Sequence, residues 1–203
     1  MTTQPIRNVV FDMGGVLLKW EPLYYARRFS ENDEDAALLA QAVFGSAEWA
    51  QQDTGALEAD TIAWIAAERL PERLHANAAN LAHRWWEKRT FIPGMDQLIE
   101  DLKRAGYGIY LLSNAGTSFE RYMRTLPGFG SFDGMVVSCY EHVVKPNPAI
   151  YRILLERYGL HAGDCLFVDD TLLNVKGAQR VGMLGWHFAD ERASAAALRA
   201  RLL

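Results

Sequence analysis

Short apolar runs alternate with helical patterns of polar and apolar positions along most of the chain. Residues in the runs are largely aliphatic or aromatic, as in strands buried on both faces of a sheet. The alternation of such strands with helices predicts an α/β fold, a parallel sheet flanked by helices. The five predicted strands are NVVF at 8–11, IYLL at 109–112, MVVS at 135–138, CLFV at 165–168 and LGWHF at 184–188.

Three helices are predicted between these strands, at 94–106, 147–159 and 171–182. In the first, an apolar stripe at helical spacing precedes the terminating Gly106 and consists of Met95, Leu98, Ile99, Leu102 and Ala105. In the second, Asn147 is placed to cap the helix and Pro148 fits its first turn. Helices of this length suit crossovers between parallel strands.

The segment between the first strand and the helix at 94 lacks a strand pattern. Its apolar positions instead predict helical stretches near 21–29, 34–44, 58–70 and 72–88. We therefore expect an all-helical cap domain at 19–91, inserted after the first strand. Residues 1–18 and 92–203 would form the α/β core domain.

Composition and charge restrict the class of function. The chain has 203 residues, of which 50% are hydrophobic and 23% charged, with a formal net charge of -4. This balance argues against nucleic-acid binding, which needs clustered Lys and Arg. The two cysteines lie in apolar runs and suggest reduced, buried thiols. With no signal sequence or membrane-spanning run, the expected protein is cytoplasmic, a monomer or weak homodimer.

Polar side chains gather where the predicted strands end. Ligands of open parallel sheets bind beyond the carboxyl ends of the strands, so these side chains should share one site. They comprise three carboxylates, a hydroxyl, an amide and, after the third strand, an ammonium: Asp12, Asp169, Asp170, Ser113, Asn114 and Lys145. One of the adjacent aspartates, Asp169 or Asp170, is also expected to cap the following helix.

Such a set of groups is suited to phosphoryl transfer with a divalent cation. Carboxylates this close would repel one another unless a cation neutralised them, and Mg²⁺ favours carboxylate and phosphate oxygens. Asp12 could attack phosphorus to form an aspartyl-phosphate that water then hydrolyses. Lys145 and the Asn114 amide could hold the remaining phosphate oxygens.

Four sequence motifs resemble those of the haloacid dehalogenase superfamily, in order and over nearly the whole chain. They are FDMGGV, LLSN, KPNPAIY and FVDDTLLN, and the helical insert lies where that superfamily carries a helical cap. The resemblance implies a Rossmannoid core, Mg²⁺ as cofactor and a small phosphorylated metabolite as substrate.

The resemblance also implies roles for individual residues. Asp12 matches the nucleophile and metal ligand, Asp170 the second metal carboxylate, and Lys145 the motif lysine. Ser113 and Asn114 match the phosphate-contacting pair. Asp169 would ligate through water or orient Lys145, and Asn174 would support the metal shell.

Position 14 departs from the superfamily pattern. Most of its phosphatases carry a general acid/base aspartate there, whereas Gly14 can supply a metal-binding backbone carbonyl but no proton. Losing such help hurts least when the leaving group is a weak base, such as an anomeric sugar oxygen. The pattern is also similar to a sugar-phosphatase branch that includes an α-glucose-1-phosphatase. The preferred interpretation is a Mg²⁺-dependent phosphatase of sugar-phosphate type, including sugar 1-phosphates.

Three other functions stay open at this stage. A 2-haloacid dehalogenase needs no proton at position 14, although it would use no metal. A phosphotransferase or mutase would pass the phosphoryl group to a sugar hydroxyl. A catalytically impaired relative would only bind phosphorylated ligands or a partner. Within the cap, Trp49 and Asp53 are candidates for substrate contact, whereas Trp85 and Trp86 suggest core packing.

Overall fold

The computed structural model describes residues 6–203, apart from the side chains of 191–193. Its sheet has five parallel strands: β1 (Asn8–Phe11), β2 (Gly108–Ser113), β3 (Gly134–Val137), β4 (Cys165–Asp169) and β5 (Leu184–His187). Their order is β3-β2-β1-β4-β5, with β1 at the centre. This order confirms the predicted α/β fold and brings the carboxyl ends of β1, β2 and β4 side by side.

The two faces of the sheet bury alternate residues of each strand. One face, with Phe11 and Val168, joins the helices of the insert, α6 (Met95–Arg104) and α10 (Glu191–Leu202) in a continuous hydrophobic cluster. The other face, with Val10 and Phe167, packs against α8 (Pro148–Arg157) and α9 (Leu172–Arg180). Burial on both faces explains why the strands have continuous apolar sequences.

The helices next to the sheet follow the sequence pattern closely. In α6 the residues Met95, Leu98, Ile99 and Leu102 are buried, whereas Ala105 is exposed at the C-cap and falls off the predicted stripe. The Asn147 side chain accepts a hydrogen bond from the Ala149 amide at the start of α8, as its capping role requires.

The segment between β1 and α6 is helical. It contains α1 (Pro22–Ala26), α2 (Asp33–Val43), α3 (Ala47–Gln52), α4 (Ala59–Glu68) and α5 (His75–Arg84). A 3₁₀ turn at Glu72–Leu74 and another at Trp85–Lys88 flank α5, so the predicted stretch at 72–88 is one helix with irregular ends. We refer to residues 19–91 as the insert; their division from the core as a separate domain stays a prediction.

Within residues 6–203, three helices lie where no helix was predicted: α3, α7 (Ser138–Glu141) and α10. The first is a six-residue helix whose N-terminus is capped by the Ser46 hydroxyl, which accepts from the Trp49 amide. Helices this short depend on tertiary packing, so periodicity alone does not reveal them. Among the described residues, no helix has the length and apolar character needed to cross a membrane.

Candidate active site

Three carboxylates meet at the carboxyl ends of the adjacent strands β1 and β4. Asp12 follows β1, Asp169 ends β4 and Asp170 comes next; one oxygen from each lies within 4.8 Å of the others. The Asp12 amide donates to the Val168 carbonyl at 2.9 Å, which extends the pairing of β1 and β4 into the site. The parallel register therefore creates the cluster.

Asp12 is nearly completely buried and lies beside a buried cation. Its Oδ1 is 2.7 Å from Lys145 Nζ and accepts from the Met13 amide at 2.6 Å. Burial raises the pKa of Asp12, Lys145 opposes the rise, and repulsion from Asp169 adds to it. No hydrogen bond from another described residue reaches Oδ2. One carboxylate oxygen is thus fixed while the other is free to react.

Lys145 is held from both ends of its side chain. Its Nζ is 2.7 Å from both Asp12 and Asp169, whereas its main chain pairs with the Asn114 amide. The Lys145 amide donates to Asn114 Oδ1 at 2.8 Å, and Asn114 Nδ2 donates to the Lys145 carbonyl at 3.1 Å. The Asn114 amide, expected on phosphate oxygens, is therefore engaged in positioning Lys145.

Asp169 is completely buried and has three hydrogen-bond donors. They are Lys145 Nζ, the Thr171 amide at 2.8 Å and Asn174 Nδ2 at 3.1 Å. Asp169 thus orients Lys145, one of the two roles expected for it, and Asn174 holds Asp169. The predicted capping by an aspartate is wrong: Thr171 occupies the N-cap of α9, and its side chain accepts no capping hydrogen bond. Asp169 binds the amide of Thr171 itself, before the first turn of the helix.

The donor set fits a hard divalent cation. Asp12 and Asp170 both lie at the edge of the cavity, and burial followed by repulsion from Asp169 raises the pKa of Asp170. A cation between these carboxylates would relieve the repulsion. The backbone of Gly14 lines the same cavity and has a carbonyl to offer. Asp12, Asp170 and Gly14 would hold the ion, since Asp169 is saturated by its own donors.

A cavity of about 220 Å³ opens from these carboxylates towards the insert. Its apolar wall is aromatic: Trp20 and Trp85 meet edge to face with ring centroids 5.2 Å apart, and Tyr122 lies beside Trp85. Trp85 is thus both a core residue and part of the cavity wall. The polar residues of the wall include Gln52 and Asp53 from the insert, and Ser118 from the 3₁₀ turn Thr117–Arg121 after β2.

The remaining sequence candidates lie in different places. Asp53 lines the cavity. Trp49 is not among the residues of its wall; it stacks on Trp20, with ring centroids 6.1 Å apart, and supports that ring from behind. Ser113 is buried, and its hydroxyl is 3.5 Å from the Asn114 carbonyl. It also does not line the cavity, so a direct phosphate contact by Ser113 would require the side chain to turn.

Sequence reasoning did not identify Trp20, Tyr122 or Gln52 as candidates. Trp20 lies in the loop between β1 and α1, and Tyr122 between two short 3₁₀ turns. Neither position has a periodicity or motif that marks it. Gln52 is the last residue of α3, a helix that the apolar pattern failed to predict.

The sequence profile of the haloacid dehalogenase-like hydrolase family matches residues 6–182. The chain belongs to this family. It is accordingly a hydrolase, and the carboxylate cluster at the strand ends is its candidate active site. This agrees with the superfamily resemblance of its four motifs.

Curated relatives and solved structures of the family cover most of the chain. The sesquiterpene phosphatase astK of Aspergillus oryzae is 28% identical over 198 residues, 95% of each chain. A phosphoglycolate phosphatase of Yersinia pseudotuberculosis is 28% identical, covering 87% of this chain and 78% of the relative. A magnesium complex of the HAD family enzyme bt-2542 from Bacteroides thetaiotaomicron superposes with a TM-score of 0.66 at 20% identity, covering 91% and 93%. At that identity the superposition supports the fold alone.

Proposed function

We propose that the protein is a Mg²⁺-dependent phosphatase of small phosphomonoesters that works through an aspartyl-phosphate on Asp12. The observation that carries the proposal is the arrangement of Asp12, with Oδ1 fixed by Lys145 and its carboxylate at the wall of a cavity beside Asp170. The family relatives named as phosphatases support the same reaction class.

The residues of the chain divide the chemical work. Asp12 attacks phosphorus, a bond forms between its carboxylate oxygen and phosphorus, and the ester oxygen leaves with the bonding electrons. Lys145 keeps the attacking carboxylate oriented and offsets the charge of the phosphoryl group. Water then cleaves the acyl phosphate and regenerates the carboxylate. Bound Mg²⁺, held by Asp12, Asp170 and the Gly14 carbonyl, would supply further positive charge to the phosphate oxygens.

The proposed substrates are sugar phosphates, with sugar 1-phosphates among them. Trp20 and Trp85 provide an apolar aromatic wall against which a sugar ring can pack, while Gln52 and Asp53 offer polar partners for its hydroxyls. Gly14 has no proton to give, and esters with weakly basic leaving groups, which need protonation least, should react faster. The proposed substrate is thus a small phosphorylated metabolite.

Phosphate release from a panel of esters, with Mg²⁺ or with a chelator, tests the function. We expect release that requires Mg²⁺ and is faster for sugar 1-phosphates than for simple alkyl phosphates. Chelator-resistant halide release from 2-haloacids would instead identify a dehalogenase, and transfer of labelled phosphate to a second sugar would identify a mutase. Either result would contradict the proposal.

Replacing Gly15 with alanine should weaken cation binding. Gly15 has a φ of 72°, and a Cβ there would lie 2.2 Å from Oδ2 of Asp170. The left-handed backbone alone costs about 1–2 kcal/mol for alanine, and the clash additionally displaces a proposed metal ligand. We expect a lower melting temperature and a smaller stabilisation by added Mg²⁺, measured by thermal unfolding across a Mg²⁺ titration.

The matched control is Gly159→Ala. Gly159 has a φ of 62° and open space at the position that a Cβ would take, so alanine there introduces the backbone strain without the clash. It should lower the melting temperature but leave the stabilisation by Mg²⁺ at its original size. Equal Mg²⁺ responses in the two variants would count against Asp170 as a ligand.

A further inference from the structure

The proposed reaction leaves the departing ester oxygen without a proton donor. Gly14 has no side chain, and Lys145 is committed to Asp12 and Asp169. We propose that Asp53, from the insert, protonates the departing oxygen and afterwards takes a proton from the attacking water. The inference rests on the proposed phosphatase function and adds to it a residue for the proton transfer.

Asp53 lines the cavity that also exposes the strand-end carboxylates Asp12 and Asp170. It is the C-cap residue of α3 and is partly buried. Within the described part of the chain, no hydrogen bond or ion pair engages its carboxylate, although Lys145 is near enough to interact electrostatically. An acid that lines a reactive cavity without a structural partner remains available to substrate.

The turn that follows Asp53 is docked on the core. Thr54 presents its carbonyl to Nδ1 of His142 at 3.0 Å. Gly55 has a φ of 72°, and a Cβ there would come within 2.5 Å of the Cys139 carbonyl, so only glycine allows this close approach. These contacts fix the end of α3 against α7 and thereby hold Asp53 at the cavity wall.

The surroundings of Asp53 favour its protonated form near neutrality. Burial raises the pKa of Asp53 to about 7, against the opposing effect of Lys145. The other charged or titratable groups that face it are Tyr122, Cys139 and, on the same cavity, Asp12 and Asp170. A general acid is most effective when its pKa lies near the working pH.

Tyr122 also lines the cavity and carries a proton that it could in principle donate. Burial followed by the negative charge of Asp53 raises the pKa of Tyr122 far above the physiological range, so the phenol holds its proton too tightly to serve as the acid. Asp53 is therefore the better donor of the two.

The proton balance of the proposed step closes. As the phosphorus–oxygen ester bond breaks, the protonated Asp53 gives its proton to the departing oxygen, and the product leaves as an alcohol. The resulting Asp53 carboxylate then accepts a proton from the water that attacks phosphorus on Asp12. Asp12 is released as a carboxylate, Asp53 regains its proton, and inorganic phosphate leaves.

The test is the dependence of rate on the leaving group in Asp53→Asn. With an alkyl phosphate, whose alkoxide is strongly basic, we expect kcat/KM to fall about 100-fold or more. With 4-nitrophenyl phosphate, whose leaving group needs no proton, the loss should be only a few-fold. In the wild type, we expect the rate of alkyl phosphate hydrolysis to fall as the pH rises through about 7 and Asp53 loses its proton. This fall should be absent in Asp53→Asn.

Three variants accompany this experiment. Asp60→Asn changes an exposed carboxylate of the insert that pairs with His83 outside the active-site cavity, and should leave both substrates unaffected. Asp53→Glu retains an acid and should recover part of the alkyl phosphate activity. Gly14→Asp, introduced into Asp53→Asn, should also restore alkyl phosphate activity, because it supplies a new carboxyl group as proton donor. The side chain has room, since a Cβ at Gly14 has no neighbour closer than 3.7 Å.

A uniform loss on both substrates in Asp53→Asn, with an unchanged pH profile, would overturn the role of Asp53 and leave the phosphatase proposal intact. The phosphatase proposal itself fails if the wild-type protein with Mg²⁺ releases phosphate from none of the esters, or if the release it shows does not depend on Asp12. The two failures are thus distinguishable.

Discussion

Asp12→Asn should reduce phosphate release by at least about 10⁴-fold, because the amide cannot act as the nucleophile that forms the acyl phosphate. Asn preserves the shape of the side chain, and its oxygen can still accept from Lys145 and the Met13 amide. Steady-state release of phosphate and trapping of a phosphorylated protein would measure the loss. No labelled phosphoprotein should accumulate in the variant.

The Asp12→Asn variant should remain folded. Burial already raises the pKa of Asp12, so removing its charge relieves a cost, and Lys145 keeps Asp169 as a partner. Circular dichroism and thermal unfolding check this expectation. Asp96→Asn, at an exposed position in the first turn of α6, serves as the control of full activity. Wild-type activity in Asp12→Asn would place the nucleophile elsewhere.

The sheet could be predicted because its strands are buried on both faces. Val9 and Phe11 face one layer and Val10 the other, so the apolar run has no polar interruption until Asp12. The first polar residue after such a run marks the strand's carboxyl end. In a parallel sheet those ends lie at one edge, so the sequence alone could predict that Asp12 and Asp170 share one site.

The partners of these residues could not be predicted in the same way. The pairing of the Asn114 amide with the Lys145 main chain joins residues from two separate loops, and no spacing rule specifies it. The position of Asp53 depends on α3 and on the contact between Thr54 and His142. Local sequence patterns carry little information about such long-range contacts.

Lys145→Met is expected to destabilise the protein by about 3–5 kcal/mol, since it leaves two buried carboxylates without their cation. Lys145 is almost completely buried, and its Nζ lies 2.7 Å from both Asp12 and Asp169. Methionine fills a similar volume, so the loss would come from charge and not from a cavity. Chemical denaturation at constant pH measures the free energy of unfolding.

Lys103→Met provides the surface comparison. Lys103 pairs with Asp133, but both side chains are more than a third exposed, and pairs of that kind contribute at most about 1 kcal/mol. The difference between the two variants therefore isolates the consequence of burial. If both substitutions lower the free energy of unfolding by the same amount, the Lys145 cluster is better solvated than its burial indicates.

A double substitution separates the charge effect from other causes. In Lys145→Met with Asp169→Asn, one of the uncompensated carboxylates is gone, and Asn174 and Thr171 still have an oxygen to bind. We expect the double variant to have a higher free energy of unfolding than Lys145→Met alone. Such a result would show that the two positions are energetically coupled. A purely additive result would mean that Lys145 stabilises the fold through packing. Recovery of stability without recovery of phosphate release would show that the cation serves the reaction as well as the fold.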